Sequence, residues 1–210
     1  MQRKISFAPG EYYHLYNRGI EKRNIFLDNR DYSRFQKMLH VCNSDKSVVF
    51  KAIQGQSLDA VEVGKRIVAV GAYTLMPNHV HILVKEVIEG GLSNFMSKLM
   101  TGYSMYFNKK YVRVGPLFQG RFKAEHVAKD EYLKYLFSYI HLNPVKLIDP
   151  KWREKGLTDL QKTQKYLKEY PWSSCTDYLS IRRREAIILS PKEFPEYFED
   201  SPSFSNFLKD

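Results

Sequence analysis

Cysteine is nearly missing from this chain. Cys42 and Cys175 are the only two among 210 residues, and they show neither a metal-ligand spacing nor a partner pattern. A disulfide-stapled scaffold or a cysteine-held metal is therefore not expected, and a reducing cytoplasm is the natural setting. Long apolar runs are missing too. The longest mostly apolar stretch, Ile67 to Met76, is too short to span a bilayer, and Met1-Gln2-Arg3-Lys4 leads into Ile5-Ser6-Phe7 rather than into a long signal core. The expectation is a soluble, unexported protein with no membrane partner. No Gly-x-x-x-x-Gly-Lys-Ser/Thr loop is present, so chemistry driven by a nucleoside triphosphate is not indicated. No internal repeat or low-complexity segment occurs. Acidic residues are in deficit, 23 against 33 lysines and arginines, a net +10. That balance makes a polyanion the first partner to consider. Residues 191–210 run the other way, with Lys192 and Lys209 against Glu193, Glu196, Glu199, Asp200 and Asp210, a net of −3 that leaves +13 on the rest. An acidic tail of this kind is expected to compete with a polyanion for the basic body.

Aromatics, by contrast, are plentiful, with fifteen tyrosines and thirteen phenylalanines. Many stand beside cations, as Tyr12-Tyr13 near Arg18 or Tyr106-Phe107 before Lys109-Lys110. Single-stranded nucleic acid asks for this mixture, since bases stack on rings while phosphates need cations. More than half of these rings are expected in the core. At 210 residues and 43% hydrophobic content the chain fits one domain, or one domain with an appendage.

Tyr12 to Asn17 reads as a strand ended by Asn17-Arg18-Gly19. Asp28 or Asp31 then caps a helix through Cys42, with Phe35, Met38, Leu39 and Cys42 at helical spacing. Residues 45–65 read as a short strand and a loop. A buried strand spans Ile67 to Leu75, and Pro77-Asn78 turns it back into a second arm from His79 to Val84. Leu92 to Phe107 carries an apolar stripe at helical period. Gly115-Pro116 breaks the chain before a strand from Arg121 to Val127, and a helix from Asp130 to Asn143 is closed by Pro144. The order strand, helix, strand, strand, helix, strand implies an α+β fold with a ferredoxin-like antiparallel sheet and helices packed on it. A mostly helical extension follows, so the boundaries read as 1–150 and 151–210.

Two features carry chemistry. Alternation from His79 to Val84 points His79, His81 and Leu83 to one face and Val80, Ile82 and Val84 to the other. Two imidazoles side by side can converge on one divalent metal, although a His-x-His pair in a strand is more often structural or solvent-facing. Sixty residues on, Tyr139 and Asn143 are four apart, which on a helix stacks a phenol and an amide oxygen on one face. Tyr132 and Tyr135 lie near that face, so spacing alone does not single out Tyr139. Asn143, which precedes proline, is also placed to end the helix. Arg121 and Lys123, two apart on a strand, share a face that can grip phosphates. Arg18, Lys109 and Lys110 are further candidates for nucleic-acid contact, with solvated surface cations as the competing reading. Arg182-Arg183-Arg184 fits either. His14, His126 and His141 read as structural.

The blocks Tyr13-His14-Leu15-Tyr16-Asn17-Arg18-Gly19, Leu75-Met76-Pro77-Asn78-His79-Val80-His81, Phe118-Gln119-Gly120-Arg121-Phe122-Lys123 and Tyr139-Ile140-His141-Leu142-Asn143-Pro144-Val145-Lys146 resemble the HUH superfamily of single-tyrosine transposases. More closely they resemble its REP-associated tyrosine transposases, and Tyr170-Pro171-Trp172-Ser173-Ser174 is similar to a fifth block. The resemblance implies a catalytic domain over 1–150 that cleaves and rejoins single-stranded DNA beside hairpins. It implies Tyr139 as the nucleophile forming a 5′-phosphotyrosine link, and His79, His81 and Asn143 as ligands of Mg²⁺ or Mn²⁺. A homodimer is compatible with it. Two other readings stand beside it: a catalytically silent, domesticated hairpin-binding protein, and a Zn²⁺ phosphoesterase, for which a third strong ligand is missing.

Overall fold

The computed structural model describes residues 6–47, 49–179 and 181–196. Four strands form its centre: β1 (Tyr12–Arg18), β2 (Val68–Met76), β3 (His79–Glu86) and β4 (Lys123–His126). They make one antiparallel sheet in the order β2-β3-β1-β4. Between β1 and β2 lies α1 (Asn29–Val41), and between β3 and β4 lies α2 (Gly91–Lys110). This is the expected ferredoxin-like α+β arrangement. The sheet has helices on both faces. Val80, Ile82 and Val84 of β3 point into a core shared with Phe35, Met38 and Leu39 of α1 and Phe95, Leu99 and Tyr103 of α2. Leu83 points the opposite way, into a second core with Leu133, Leu136 and Ile140 of α3 (Asp130–Leu142). Period-two alternation in β3 thus divides the two layers, and each buried Val or Ile contributes on the order of 1.5–3 kcal/mol.

Asp28 and Asp31 both serve the start of α1. Asp28 Oδ1 accepts from the Asp31 amide at 3.0 Å, while Asp31 Oδ2 accepts from the amides of Leu27 at 2.8 Å and Asp28 at 3.4 Å, a reciprocal capping box. Asp31 is fully buried and needs a cation. Lys110, at the end of α2, supplies it, reaching Asp31 at 2.7 Å and Asp28 at 2.8 Å. Lys110, read from sequence as a candidate nucleic-acid contact, is thus committed to the fold, because a buried carboxylate some eighty residues away claims its charge. Lys110→Met, which leaves Asp31 buried and unpaired, should cost about 3 kcal/mol of stability. Chemical denaturation should show that loss, with nucleic-acid affinity unchanged.

Three other expectations change. Residues 45–65 contain turns and a 3-10 turn at Leu58–Ala60 but no strand among those described. Strand β4 begins at Lys123 rather than Arg121, because the chain still turns through Gly120, at φ +82°, before it joins β1. Arg121 and Lys123 consequently do not share a strand face. Helix α3 ends at Leu142, ahead of Pro144 as expected, but the chain does not leave helical torsions there. Asn143 stays helical (φ −52°, ψ −41°) and the chain tightens into a 3-10 turn over Asn143–Leu147, where the missing proline N–H is tolerated in the first turn.

Residues beyond 150 complete both layers. They include α4 (Trp152–Lys155), α5 (Leu160–Glu169) and α6 (Cys175–Tyr178). Leu167, Cys175 and Phe194 join the α3-side core, while Ile188 and Leu189 join the other. Phe194 seats on the irregularity of β2 at Gly71, where a Cβ would stand 2.5 Å from its ring. Arg183, in the arginine run that fits either a solvated stretch or a DNA contact, turns inward and forms a half-buried pair with Asp177 at 2.6 Å. Of the acidic tail, Glu193 pairs with Lys85 at 3.0 Å, and residues 197–210, with most of its charge, lie outside the described residues. Among the described residues no helix is long and apolar enough to cross a membrane.

Candidate active site

The sequence blocks meet at one end of the sheet. Gly19 donates its amide to the Asn78 carbonyl at 2.9 Å, Gln119 to Arg18 at 2.8 Å, and Ile25 to Pro77 at 2.8 Å. Gly19 is required there because a Cβ would lie 2.2 Å from the Arg23 carbonyl oxygen. Asn17 ties in the remaining loop, donating Nδ2 to the Gly120 carbonyl at 3.3 Å. The antiparallel register then sets Arg18 opposite His79 and Tyr16 opposite His81 on one side, and Lys123 opposite Tyr16 on the other. Helix α3 crosses this face, and a cleft of about 280 Å³ opens between them.

Tyr139, His79, His81, Asn143, Arg18 and Lys123 all line this cleft, together with Tyr16, Asn17, Gln119, Lys146 and Arg153. The rings of His79 and His81 lie 5.1 Å apart, and the half-buried Tyr139 ring stands perpendicular to His81 at 5.6 Å. One chain supplies every member. Arg121 is elsewhere, lining a separate groove beside α2, and Lys109 lies near Phe50 and Tyr106 on another surface.

Each histidine has a neighbour at Nδ1. His79 Nδ1 meets Asn78 Oδ1 at 2.6 Å, and His81 Nδ1 meets His14 Nε2 at 2.8 Å. Asn78 can only accept there, so His79 carries its proton on Nδ1 and keeps the Nε2 lone pair. His14 is 5% exposed, and its Nδ1 is 3.8 Å from Glu125 Oε2. Burial lowers the His79 pKa to about 4, helped by Arg18, Lys146 and Arg153, while an interaction with Asn143 opposes it. Burial also holds His81 well below the ordinary histidine value, with His14 and His79 adding to the effect. Both imidazoles are thus neutral, the form that binds metals. Asn143 donates Nδ2 to the Tyr139 carbonyl at 3.0 Å and accepts from Arg153 at 3.3 Å. Two neutral imidazoles and an amide oxygen suit a weakly held divalent ion. Among the described residues no group of three His, Cys, Asp or Glu side chains is arranged to hold a metal ion.

Several members were not singled out from sequence. His14 was read as structural, yet alternation along β1 places it on the face of Tyr16 and Arg18. Lys146 closes the fourth sequence block, and Gln119 sits inside the third. Arg153, whose guanidinium lies 4.5 Å over the Tyr139 ring, has no local signal at all, because it stands in the polar stretch after Pro150.

Residues 62–143 match the family model described as "Transposase IS200 like". Among solved structures the chain is similar to a REP-associated tyrosine transposase bound to a REP hairpin, at 14% identity and a TM-score of 0.54, covering 88% of this chain and 90% of that one. That likeness supports the fold. A tRNA(His) guanylyltransferase from Saccharomyces cerevisiae aligns at 11% identity over 95% of this chain and 87% of that one, but its TM-score of 0.40 carries no argument. No curated protein matches the sequence.

Proposed function

We propose that this chain, whose residues 62–143 match the IS200-like transposase model, cleaves and rejoins single-stranded DNA through a covalent tyrosine intermediate. The observation that carries the reading is Tyr139 standing 5.6 Å from the His81 ring inside a cleft with four cations, Arg18, Lys123, Lys146 and Arg153. The Tyr139 oxygen attacks a backbone phosphorus. The bond to the 3′-oxygen breaks, the phenol gives up its proton, the departing 3′-oxygen gains one, and the 5′-phosphate stays on Tyr139. The covalent link conserves the bond energy, so the free 3′-hydroxyl of another strand end can reverse the step without an external energy source. Arg153, above the Tyr139 ring, favours negative charge developing on the phenol and the phosphate. Residues 1–150 form the catalytic unit in this reading, and the 151–210 extension lends it Arg153.

His79, His81 and Asn143 would hold a Mg²⁺ or Mn²⁺ ion, which when bound supplies Lewis-acid neutralisation of phosphate charge. Arg153 would then release the Asn143 oxygen. Asn78 and His14 fix the two imidazoles, as outer partners of metal-binding histidines do. The reading requires no second copy of the chain. It places the protein where the DNA is, in a cytoplasm, with a hairpin-bearing strand as its substrate.

Recognition should depend on the strand's freedom to enter the cleft. The chain should bind a hairpin with single-stranded tails better than a blunt duplex of the same sequence. If all four cleft cations meet phosphates, log K should fall with log salt at a slope of about −3, from roughly 0.7 per phosphate for single strands. A salt-titrated binding series on both DNAs checks this. Equal affinity for the two would reject it.

A further inference from the structure

Helix α3 carries three tyrosines along one side. Tyr132 and Tyr135 stack with ring centroids 6.1 Å apart and planes 20° from parallel, and Tyr135 and Tyr139 follow at 6.0 Å and 33°. Glu125 steadies the outer ring, accepting from the Tyr132 hydroxyl at 3.3 Å and from Tyr16 at 2.8 Å. The middle ring is left 58% exposed, although a tyrosine gains most by covering its ring. The stack therefore runs from open surface to the nucleophile, with Tyr135 as its uncovered step.

We propose that Tyr135 is a nucleobase-stacking subsite, which takes a base flanking the phosphate that Tyr139 attacks. The inference rests on the single-stranded DNA reading above and adds a positioning residue to it. Charge separates the two sides of the strand. Arg18, Lys123, Lys146 and Arg153 gather in the cleft, where phosphates belong, whereas the Glu125 carboxylate beside Tyr132 repels a phosphate and leaves the ring surface to a neutral base. A base on Tyr135 would lie one ring-step from Tyr139, and would hold the adjoining phosphate at the cleft instead of letting the strand slide. Stacking needs only a π-face, so the subsite recognises a base without selecting its hydrogen-bonding edge.

The test uses the full chain carrying Tyr139→Phe, so that binding is read without cleavage. The probe is a DNA hairpin with single-stranded tails bearing 2-aminopurine, a base whose fluorescence is quenched on stacking, at successive tail positions. Quenching is expected at one tail position. Adding Tyr135→Ala should remove that quenching and weaken binding about tenfold, the lower part of the 1–3 kcal/mol that a base–aromatic stack contributes. Adding Tyr135→Phe, which keeps the ring, should restore both, an outcome that a hydroxyl-dependent or merely structural role would not give. Because Tyr135 is exposed, the alanine variant should keep the parent's melting temperature. If Tyr135→Ala quenches and binds like the phenylalanine form, the subsite is overturned while the function stands. If the Tyr135-intact chain does not bind the tailed hairpin, the function itself fails.

Discussion

Tyr139→Phe should lose DNA cleavage by at least about a thousandfold, about 4 kcal/mol of transition-state stabilisation, while binding the same DNA nearly as well as the parent. Only the attacking oxygen is removed. The ring still packs edge-on to His81 and under Arg153, and the cleft keeps its cations. Tyr132→Phe and Tyr135→Phe lose hydroxyls on the same side of α3 and should still form the covalent adduct. Denaturing electrophoresis of labelled single-stranded DNA distinguishes these variants. A covalent adduct formed by Tyr139→Phe would show that the nucleophile lies elsewhere.

The second large effect concerns the imidazole pair. His79→Ala and His81→Ala should each reduce cleavage by at least about a thousandfold, since each deletes a donor of the proposed charge-neutralising ion. The parent should be active with Mg²⁺ or Mn²⁺ and inactive in excess EDTA, with DNA binding retained. The two variants differ in stability. His81→Ala strands the buried His14 ring, which loses its 2.8 Å partner, and should cost about 1–3 kcal/mol. His79→Ala leaves Asn78, which is half-exposed, and should cost little. Melting curves recorded beside the cleavage assay separate loss of fold from loss of chemistry, and undiminished cleavage in EDTA would remove the metal from the scheme.

What was legible in the sequence is what local periodicity governs. Alternation from His79 to Val84 separates imidazole from core positions within six residues, and the Asp28–Asp31 pair marks the start of α1 whatever lies around it. Four sequence blocks in order carry the family resemblance, and these are the blocks that knit together around the cleft. What was illegible depends on pairing across the chain. His14 meets His81 only because of the β1–β3 register, which no local pattern encodes. Lys110 looked like half of a surface doublet until Asp31 was found buried beside it. Arg121 was separated from Lys123 by a turn that delays β4, and Arg153 reaches Tyr139 through the 3-10 turn that carries the chain past Pro144. In residues 45–65, Ile53 and Val61 join Val41 of α1 in a small cluster instead of forming a strand.

The measurement that bears most directly on the central claim is trapping of the parent chain on hairpin-bearing single-stranded DNA with Mn²⁺, followed by protease digestion and mass spectrometry of the DNA-linked peptide. The account predicts a 5′-phosphate joined to Tyr139, with the released fragment ending in a 3′-hydroxyl. Tight binding of that DNA with no covalent peptide would contradict cleavage and point to a silent binding protein, and a phosphate attached to any other residue would contradict the assignment of Tyr139.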